Sequence, residues 1–384
     1  MKILTQLSRI FVGVLFIISG FIKANDTLGF SYKLEEYFEI FQKEFPLPKF
    51  LFLDWMSFSH HAAGLSMFIC IFEIMVGVAL LLGAYSRLNA WLLLLMMVFF
   101  TILTAYSAIT HKVTDCGCFG DAIKFTPFGS FMKDVVLMFF SVFIFIGHKH
   151  IKDIFGNKVY QNLALFVALI VTTFFTFYTY MFLPRIDFLP YKVGNDIRKM
   201  MEYPEGALRD SVEMVFIYEK DGKQIEIAMN DIGKADSTYK FIDRKDKVIR
   251  EGYRSPITGF KIYDAGGIEY TDSLLNDKDY QLIFVQKDIN DSRKNMEPIV
   301  AMLAEKWQLS GKKFWALTAS PLNEVEIYRH EHQLAFPYYN MDATPLKSIV
   351  RSNPGLILMH GTVVVKKWSA FNIPVYEIVE KYMK

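Results

Sequence analysis

The chain has three cysteines among 384 residues, and none follows Cys118. Any thiol chemistry is therefore confined to the first third of the protein, and the rest cannot exchange disulfides with thiols of its own. An excess of charge of one sign is also missing. A formal net charge of +2 gives no ground for expecting nucleic acid as a partner. Acids and bases are thinnest before about Leu183, where long apolar runs take their place. No small-residue cleavage site follows the first of those runs, so it reads as a retained helix and not as a removed signal. The chain also lacks a visible inverted repeat and has only one central membrane charge, which argues against a transporter.

What is present is apolar surface. A hydrophobic content of 52% with 36 Phe exceeds what one soluble core usually takes up. A bilayer core needs about 20 mainly apolar residues per helix, because backbone polar groups cannot stay unpaired in lipid. Five windows meet or approach that length: Leu7 to Ala24, Ala62 to Ala84, Leu88 to Ile109, Phe128 to Gly147 and Tyr160 to Leu183. After about Arg185 charges, turns and short apolar runs mix as in a water-soluble domain. The expected division is a four-helix membrane domain over 1–150, a fifth spanning helix and linker over 151–190, a small strand-rich module over 191–278 and an α/β domain over 279–384. The short loops around Arg87 and from Lys149 to Lys158 carry bases with few acids, which favours a cytoplasmic N-terminus. Between the first two windows lies a long loop holding Lys33, Lys43 and Lys49 among acids. Five helices would then put the C-terminal half outside the cytoplasm, in a multi-pass protein of the cytoplasmic membrane.

The chemistry concentrates between the third and fourth windows, in Asp115-Cys116-Gly117-Cys118-Phe119-Gly120-Asp121. Gly117 and Gly120 allow the tight, partly positive-φ backbone that could bring the two sulfurs together. A disulfide in so small a ring would be strained and relatively oxidising, suited to transfer more than to bracing. Two other readings stay open: inert thiols in a turn, and a metal site drawing on His111, Asp115 and Asp121. The second is weak without another cysteine pair, and no metal is expected. Cys70, inside an apolar run, reads as a small hydrophobe. Glu73 lies near the middle of the second window with no Lys in its own helix, a place where an ionisable group tends to face the bundle interior with a partner. Proton relay, or a hydrogen bond to a quinone, would be its functional version. Lys23 and Asp134 sit at window ends and are expected to snorkel to the interface.

These residues carry a resemblance to the DoxX and MauE family of small four-helix membrane proteins. They are Ser19-Gly20-Phe21-Ile22-Lys23, Gly29-Phe30, Tyr37, Glu73-Ile74-Met75-Val76-Gly77, Leu80 to Gly83 and Cys116-Gly117-Cys118-Phe119-Gly120. The last motif is similar to the MauE branch. The resemblance implies a helical bundle in the cytoplasmic membrane, tied in MauE to maturation of a disulfide-rich periplasmic enzyme and in DoxD-like relatives to quinone-coupled sulfur oxidation. The fifth helix and the large extra domain depart from that pattern.

Past the fifth window, Leu183 to Lys192 holds two prolines and reads as an extended exit from the membrane. Glu213 to Tyr218 and Gln224 to Ala228 flank Lys220-Asp221-Gly222-Lys223, a hairpin signal. Another strand is expected from Gly259 to Tyr263. From Tyr280 onward the pattern becomes strand (Gln281 to Gln286), helix (Arg293 to Gln308), strand (Lys313 to Ala319) and helix (Glu324 to His330). Pro337 to Asp342, a short helix from Pro345 and a hairpin turning at His360-Gly361 complete it. That order resembles the thioredoxin fold, which places a cis proline beside its partner-binding groove; Asn353, Pro354 and Gly355 stand at that point. Where redox members of the fold have Cys-x-x-Cys, this chain has Lys287-Asp288-Ile289-Asn290-Asp291-Ser292. Binding or docking is the natural role for such a domain.

The expected function is a membrane thiol-disulfide redox or protein-maturation factor, with Cys116, Cys118 and Glu73 as its working residues. An extracytoplasmic client or redox partner would bind at Asn353-Pro354-Gly355, and quinone is a candidate electron acceptor. The alternative is a non-enzymatic membrane scaffold whose cysteines are a structural staple.

Overall fold

The computed structural model describes residues 2–45, 55–113, 117, 119–123, 125–204, 206–208, 211–220, 223–234, 238–250, 252–253 and 255–383. Among them, five helices are long and apolar enough to cross a membrane: α1 (Lys2–Asn25), α4 (Ala62–Leu82), α5 (Ser86–Thr110), α6 (Pro127–Gly147) and α7 (Lys158–Phe182). The protein is a multi-pass membrane protein. Local signals set the helix ends. Thr126 caps α6 and Pro127 opens it; Asn157 caps α7; and Gly83 ends α4 in the left-handed region at φ +73.

Glycine lets α1 and α4 lie close together. A Cβ on Gly20 would fall 2.7 Å from the Ile74 side chain, and one on Gly77 would fall 2.9 Å from the Gly13 carbonyl oxygen. In lipid, where no hydrophobic effect drives helices together, such small-residue contacts allow tight packing. Around this seam Val12, Phe16, Val76, Leu80, Leu93 and Met97 form the bundle core.

The stretch between the first two spanning helices is not the long loop expected. It forms α2 (Thr27–Glu44), followed after residue 54 by the short α3 (Trp55–His60). The apolar positions Phe30, Leu34 and Tyr37 recur at helical spacing and are buried, which makes α2 amphipathic without enough apolar length to span. Asp26 caps it by accepting from the Gly29 N–H at 2.9 Å.

With five crossings, the loop between α5 and α6, helix α2 and the soluble domain all sit at one end of the bundle. The soluble part holds two sheets. Strands β1 (Ser211–Lys220), β2 (Lys223–Ala228) and β3 (Lys240–Arg250) form an antiparallel sheet in the order β2-β1-β3. The first two are the expected hairpin. The third is legible only through its pairing with β1, because its own sequence is dominated by charges.

The five-stranded sheet contains β4 (Tyr280–Val285), β5 (Phe314–Thr318), β6 (Tyr338–Asn340), β7 (Gly355–His360) and β8 (Val363–Ser369), in the order β6-β5-β4-β7-β8. Strands β4, β5 and β6 run parallel; β7 and β8 are antiparallel. With α10 (Glu297–Leu309) and α11 (Leu322–Glu331) as crossovers and α12 (Ala343–Ile349) leading to β7, this is the thioredoxin-like arrangement. Both faces of the sheet are covered. Leu282 and Phe284 point into one core with Val300, Leu303 and Trp307. Ile283 and Val285 point into the other with Tyr191, Ile257, Phe260, Ile262 and Leu274. This explains why β4 is apolar at successive positions.

The strand expected from Gly259 to Tyr263 does not form. Tyr263 makes only single bridges, to Glu269 and Asn340, while Phe260 and Ile262 are spent on the core of the neighbouring sheet. Its apolar residues answer to packing, with Gly259 at φ +71 just before them.

Candidate functional site

Cys116 and Cys118 lie outside the described residues, as does Asp115. Their described neighbours are anchored on three sides. A Cβ on Gly117, whose φ is +68, would meet the Lys33 side chain of α2 at 3.1 Å. The Phe119 ring lies beneath the Lys133 ammonium, 5.2 Å from its centroid. Asp121 accepts from the Arg351 guanidinium at 2.6 Å.

Below Phe119, four charged side chains meet inside the bundle. Lys23 and Glu73 form an ion pair at 2.5 Å with side chains 2% and 4% exposed. The expectation that Lys23 snorkels is therefore wrong. The α1–α4 glycine seam brings Glu73 within reach, and pairing is cheaper than stretching away from a buried counter-charge. The Lys23 ammonium also rests against the Phe100 and Phe30 rings, at 5.0 and 5.4 Å. Asp134 does not snorkel either: it is buried, accepts from Thr104 of α5 at 3.0 Å and pairs with Lys133 at 2.9 Å. All four charged groups and Phe119 line one cavity of about 20 Å3. That is room for roughly one water, and a quinone ring does not fit there. Cys70 is buried nearby in α4, a free cysteine among the described residues.

Above the loop, the soluble domain is clamped to the bundle. Arg351 donates to Asp26 at 2.9 and 3.1 Å and to Asp121 at 2.6 Å. Burial pulls the Arg351 pKa down, but Asp26 and Asp121 outweigh it and hold it above its ordinary value. A Cβ on Gly29 would fall 2.4 Å from the Asp26 carboxylate and 2.9 Å from the Arg351 guanidinium, so a larger residue here would have to displace the clamp. Tyr32 of α2 is surrounded by Lys287, Lys347 and Arg351, at 4.7, 4.7 and 5.5 Å from its ring. Further ties are Lys347 to Glu35 at 3.6 Å and a two-way bond of Asn25 with the Ile186 backbone, at 2.8 and 3.0 Å.

The face that docks is the one that carries the exchange site in redox-active members of the fold. Asn353 and Pro354 are joined by a cis peptide. Gly355 follows under tight restriction, since a Cβ there would fall 2.5 Å from Val350. Lys287, Asn290, Ser292 and Asn353 share a cavity of about 430 Å3 with Tyr32 and His60 of the membrane half. On the other side of Tyr32, a cavity of about 390 Å3 runs between Arg351, Lys347, Lys33 and Glu36 to Gly117. Burial lowers the Lys287 pKa, with Glu35 opposing. Behind this face Gln286 anchors a buried hydrogen-bond network. It donates to Ser292 at 2.9 Å and to Tyr328 at 2.8 Å, and accepts from Tyr338 at 2.5 Å. Tyr328 in turn donates to Glu297, which also contacts His332 at 2.8 Å.

Asp26, Tyr32 and Arg351 were not legible as site residues in the sequence. The available signals were an acid three positions after Lys23 and a basic residue two positions before Asn353, but nothing in the chain says that they meet.

The comparisons with known proteins follow the same division. The family model for Methylamine utilisation protein MauE matches residues 1–147. The membrane half is MauE-like. Beyond this MauE-like half, a domain of unknown function (DUF8463) matches residues 212–251, the three-stranded sheet. No curated protein matches the chain. Among solved structures, the thioredoxin domain of a thiol-disulfide oxidoreductase from Bacteroides vulgatus is similar at 13% identity, over 33% of this chain and 93% of that one, with a TM-score of 0.26. The strand order and the helix crossovers carry the fold assignment.

Proposed function

We propose that the protein is a membrane-bound thiol-disulfide redox factor of protein maturation, in which Cys116 and Cys118 exchange a disulfide with an extracytoplasmic client. The observation that supports this reading is the Arg351 clamp. Arg351 stands three positions before the cis Pro354 and binds Asp121, three positions after Cys118. One side chain thus ties the partner face of a thioredoxin-like domain to the cysteine loop. The MauE family model covers the membrane half on both sides of the cysteine loop.

In the exchange, a client thiolate attacks one loop sulfur, the loop S–S bond breaks and the other loop cysteine leaves as a thiolate. A second client thiolate resolves the mixed disulfide. The client is then oxidised by two electrons, and the loop holds two thiols. Run in reverse, the same steps reduce a client. Resetting the loop requires a further redox partner. The cavity beside Gly117, with Lys33, Lys347 and Arg351 along it, gives a client segment access. Glu73 and Lys23, with Lys133 and Asp134, form a reserve of titratable groups beneath Phe119. The thioredoxin-like domain positions the client and has no thiol of its own.

A second reading is favoured by one specific observation. The docking face is already held by the bundle through Arg351, Lys347 and Tyr32, as expected of a scaffold in which Cys116 and Cys118 are a staple. Intact cells separate the two. In a Cys70→Ser background, Cys116 and Cys118 are trapped with a membrane-impermeant thiol reagent before and after mild reductant. A pair that is reduced and reformed on the outer face supports exchange and the topology together. Thiols that stay free, or that react only after permeabilisation, rule out exchange on that face.

A further inference from the structure

Where α7 leaves the membrane, the exit segment folds back beside β8 and leaves a cleft of about 740 Å3. Tyr178 and Phe182, on the last turn of α7, line its membrane end, and Arg185, Lys192 and Lys366 line the rest. The other two cations in the cleft are neutralised within the protein: Lys367 by Asp187 at 2.8 Å, and Arg351 by Asp26 and Asp121 at 2.9 and 2.6 Å. Arg185, Lys192 and Lys366 have no carboxylate partner among the described residues. Two of them are steadied by aromatic rings that leave their charge intact. The Arg185 guanidinium sits 4.8 Å from the Tyr178 centroid, and the Lys366 ammonium 5.3 Å from that of Tyr382.

The surroundings are those of a membrane surface. The exit segment leaves the large apolar side chains of Ile186, Phe188 and Val193 about half exposed. Following directly on a spanning helix, such side chains suit the acyl boundary, where aromatic and basic side chains anchor proteins. Three unneutralised cations with aromatic walls and an apolar flank suit an amphiphile whose head is a phosphate. Arginine and lysine bind phosphate oxygens through several donors.

We propose that this cleft binds the phosphodiester headgroup of an anionic phospholipid, with Arg185, Lys192 and Lys366 as its contacts. A free phosphate shares that head chemistry but has no use for the apolar flank. Bound there, the lipid holds the soluble domain at the membrane surface, independently of whether the cysteine loop exchanges disulfides.

The test uses the full chain in nanodiscs and native mass spectrometry, comparing retention of phosphatidylglycerol and phosphatidylcholine. Wild type is expected to retain phosphatidylglycerol preferentially. The Arg185→Gln/Lys192→Gln/Lys366→Gln variant should bind it at least about tenfold more weakly, given the contribution of each cation near an anionic surface, with phosphatidylcholine unchanged. Equal retention of phosphatidylglycerol by both proteins, or no preference in wild type, overturns the proposal. Displacement of the lipid by millimolar inorganic phosphate overturns the lipid source and assigns the cleft to a soluble phosphate. Should the triple variant fail to fold, Arg185→Gln and Lys192→Gln, both at exposed side chains, carry the same comparison singly, each with about a fivefold expected loss.

Discussion

In the membrane half, Lys23 and Glu73 meet as an ion pair between two helices with almost no exposure. At the matching heart of the soluble domain, just before the fold's usual exchange site, stands the uncharged Gln286, bonded to Ser292, Tyr328 and Tyr338. One region keeps an ion pair in the least hospitable solvent, and the other runs a buried hydrogen-bond network from Gln286 through Tyr328 to the Glu297 carboxylate, which His332 faces at 2.8 Å. A charge inside a membrane bundle is expensive enough to need a partner, which Lys23 and Glu73 supply to each other. A satisfied buried polar network rigidifies a core. On the proposed function, chemistry belongs to the bundle and its loop, and positioning to the thioredoxin-like domain.

The comparison breaks most sharply at the cysteines. Cys118→Ser is expected to abolish disulfide exchange with clients at unchanged protein level, read from the client's redox state on non-reducing gels and from immunoblotting. A fall in abundance instead would place the pair with the structural elements.

Next in size is Arg351→Met, which strands Asp26 and Asp121 at the interface. Breaking a buried ion pair from one side costs roughly 3–5 kcal/mol. We expect proteolysis to open the exit segment around residues 183–193 while the bundle stays intact, since its core packing does not involve Arg351.

Glu73→Gln leaves Lys23, buried in the last turn of α1, without its counter-charge, at a cost of up to about 2.5–3.5 kcal/mol, the value for a charge at the centre of a membrane helix. The membrane level of the protein should fall and should recover in Lys23→Met/Glu73→Gln. Disulfide exchange in that double variant should stay low. Full recovery of exchange would make the pair a purely structural one.

Gly20→Val sharpens the same point without touching charge. Its added atoms overlap Ile74, an overpacking effect of about 1–3 kcal/mol, and thermal unfolding of the bundle should shift down accordingly.

The smallest effect is a pH dependence in the soluble domain. Burial, reinforced by Tyr328 and Glu297 and opposed by Arg329, raises the Tyr338 pKa well above 10.0. The folded state therefore holds a proton that the unfolded state releases at about pH 10. The stability contribution is complete below that pH and is lost as pH rises toward the folded value. Alkaline titration should show tyrosinate absorbance appearing together with unfolding, and Tyr338→Phe should move that transition upward.

Much of the architecture was legible because it follows from local pattern. The spanning helices announce themselves by apolar length, since lipid offers the backbone no partner. The thioredoxin-like order is readable from Gln281 to Val365 because its strands are apolar and its helices are periodic. Helix α2 was missed because it is too polar to span, and reading the sequence for spanning segments passes over a helix that lies at the bundle end. Strand β3 was missed because it owes its conformation to hydrogen bonds with β1, not to an apolar face of its own.

By itself, the sequence determined that the protein is embedded in a membrane, where its few thiols stand and that its C-terminal domain has none. These are matters of composition and spacing, which no folding step can alter. Only the tertiary structure decided that Lys23 answers Glu73 and that Arg351 joins Asp26 to Asp121. The partners in these contacts are as much as 325 positions apart, and a charge carries no mark in the chain of which distant counter-charge the packing of helices will bring against it.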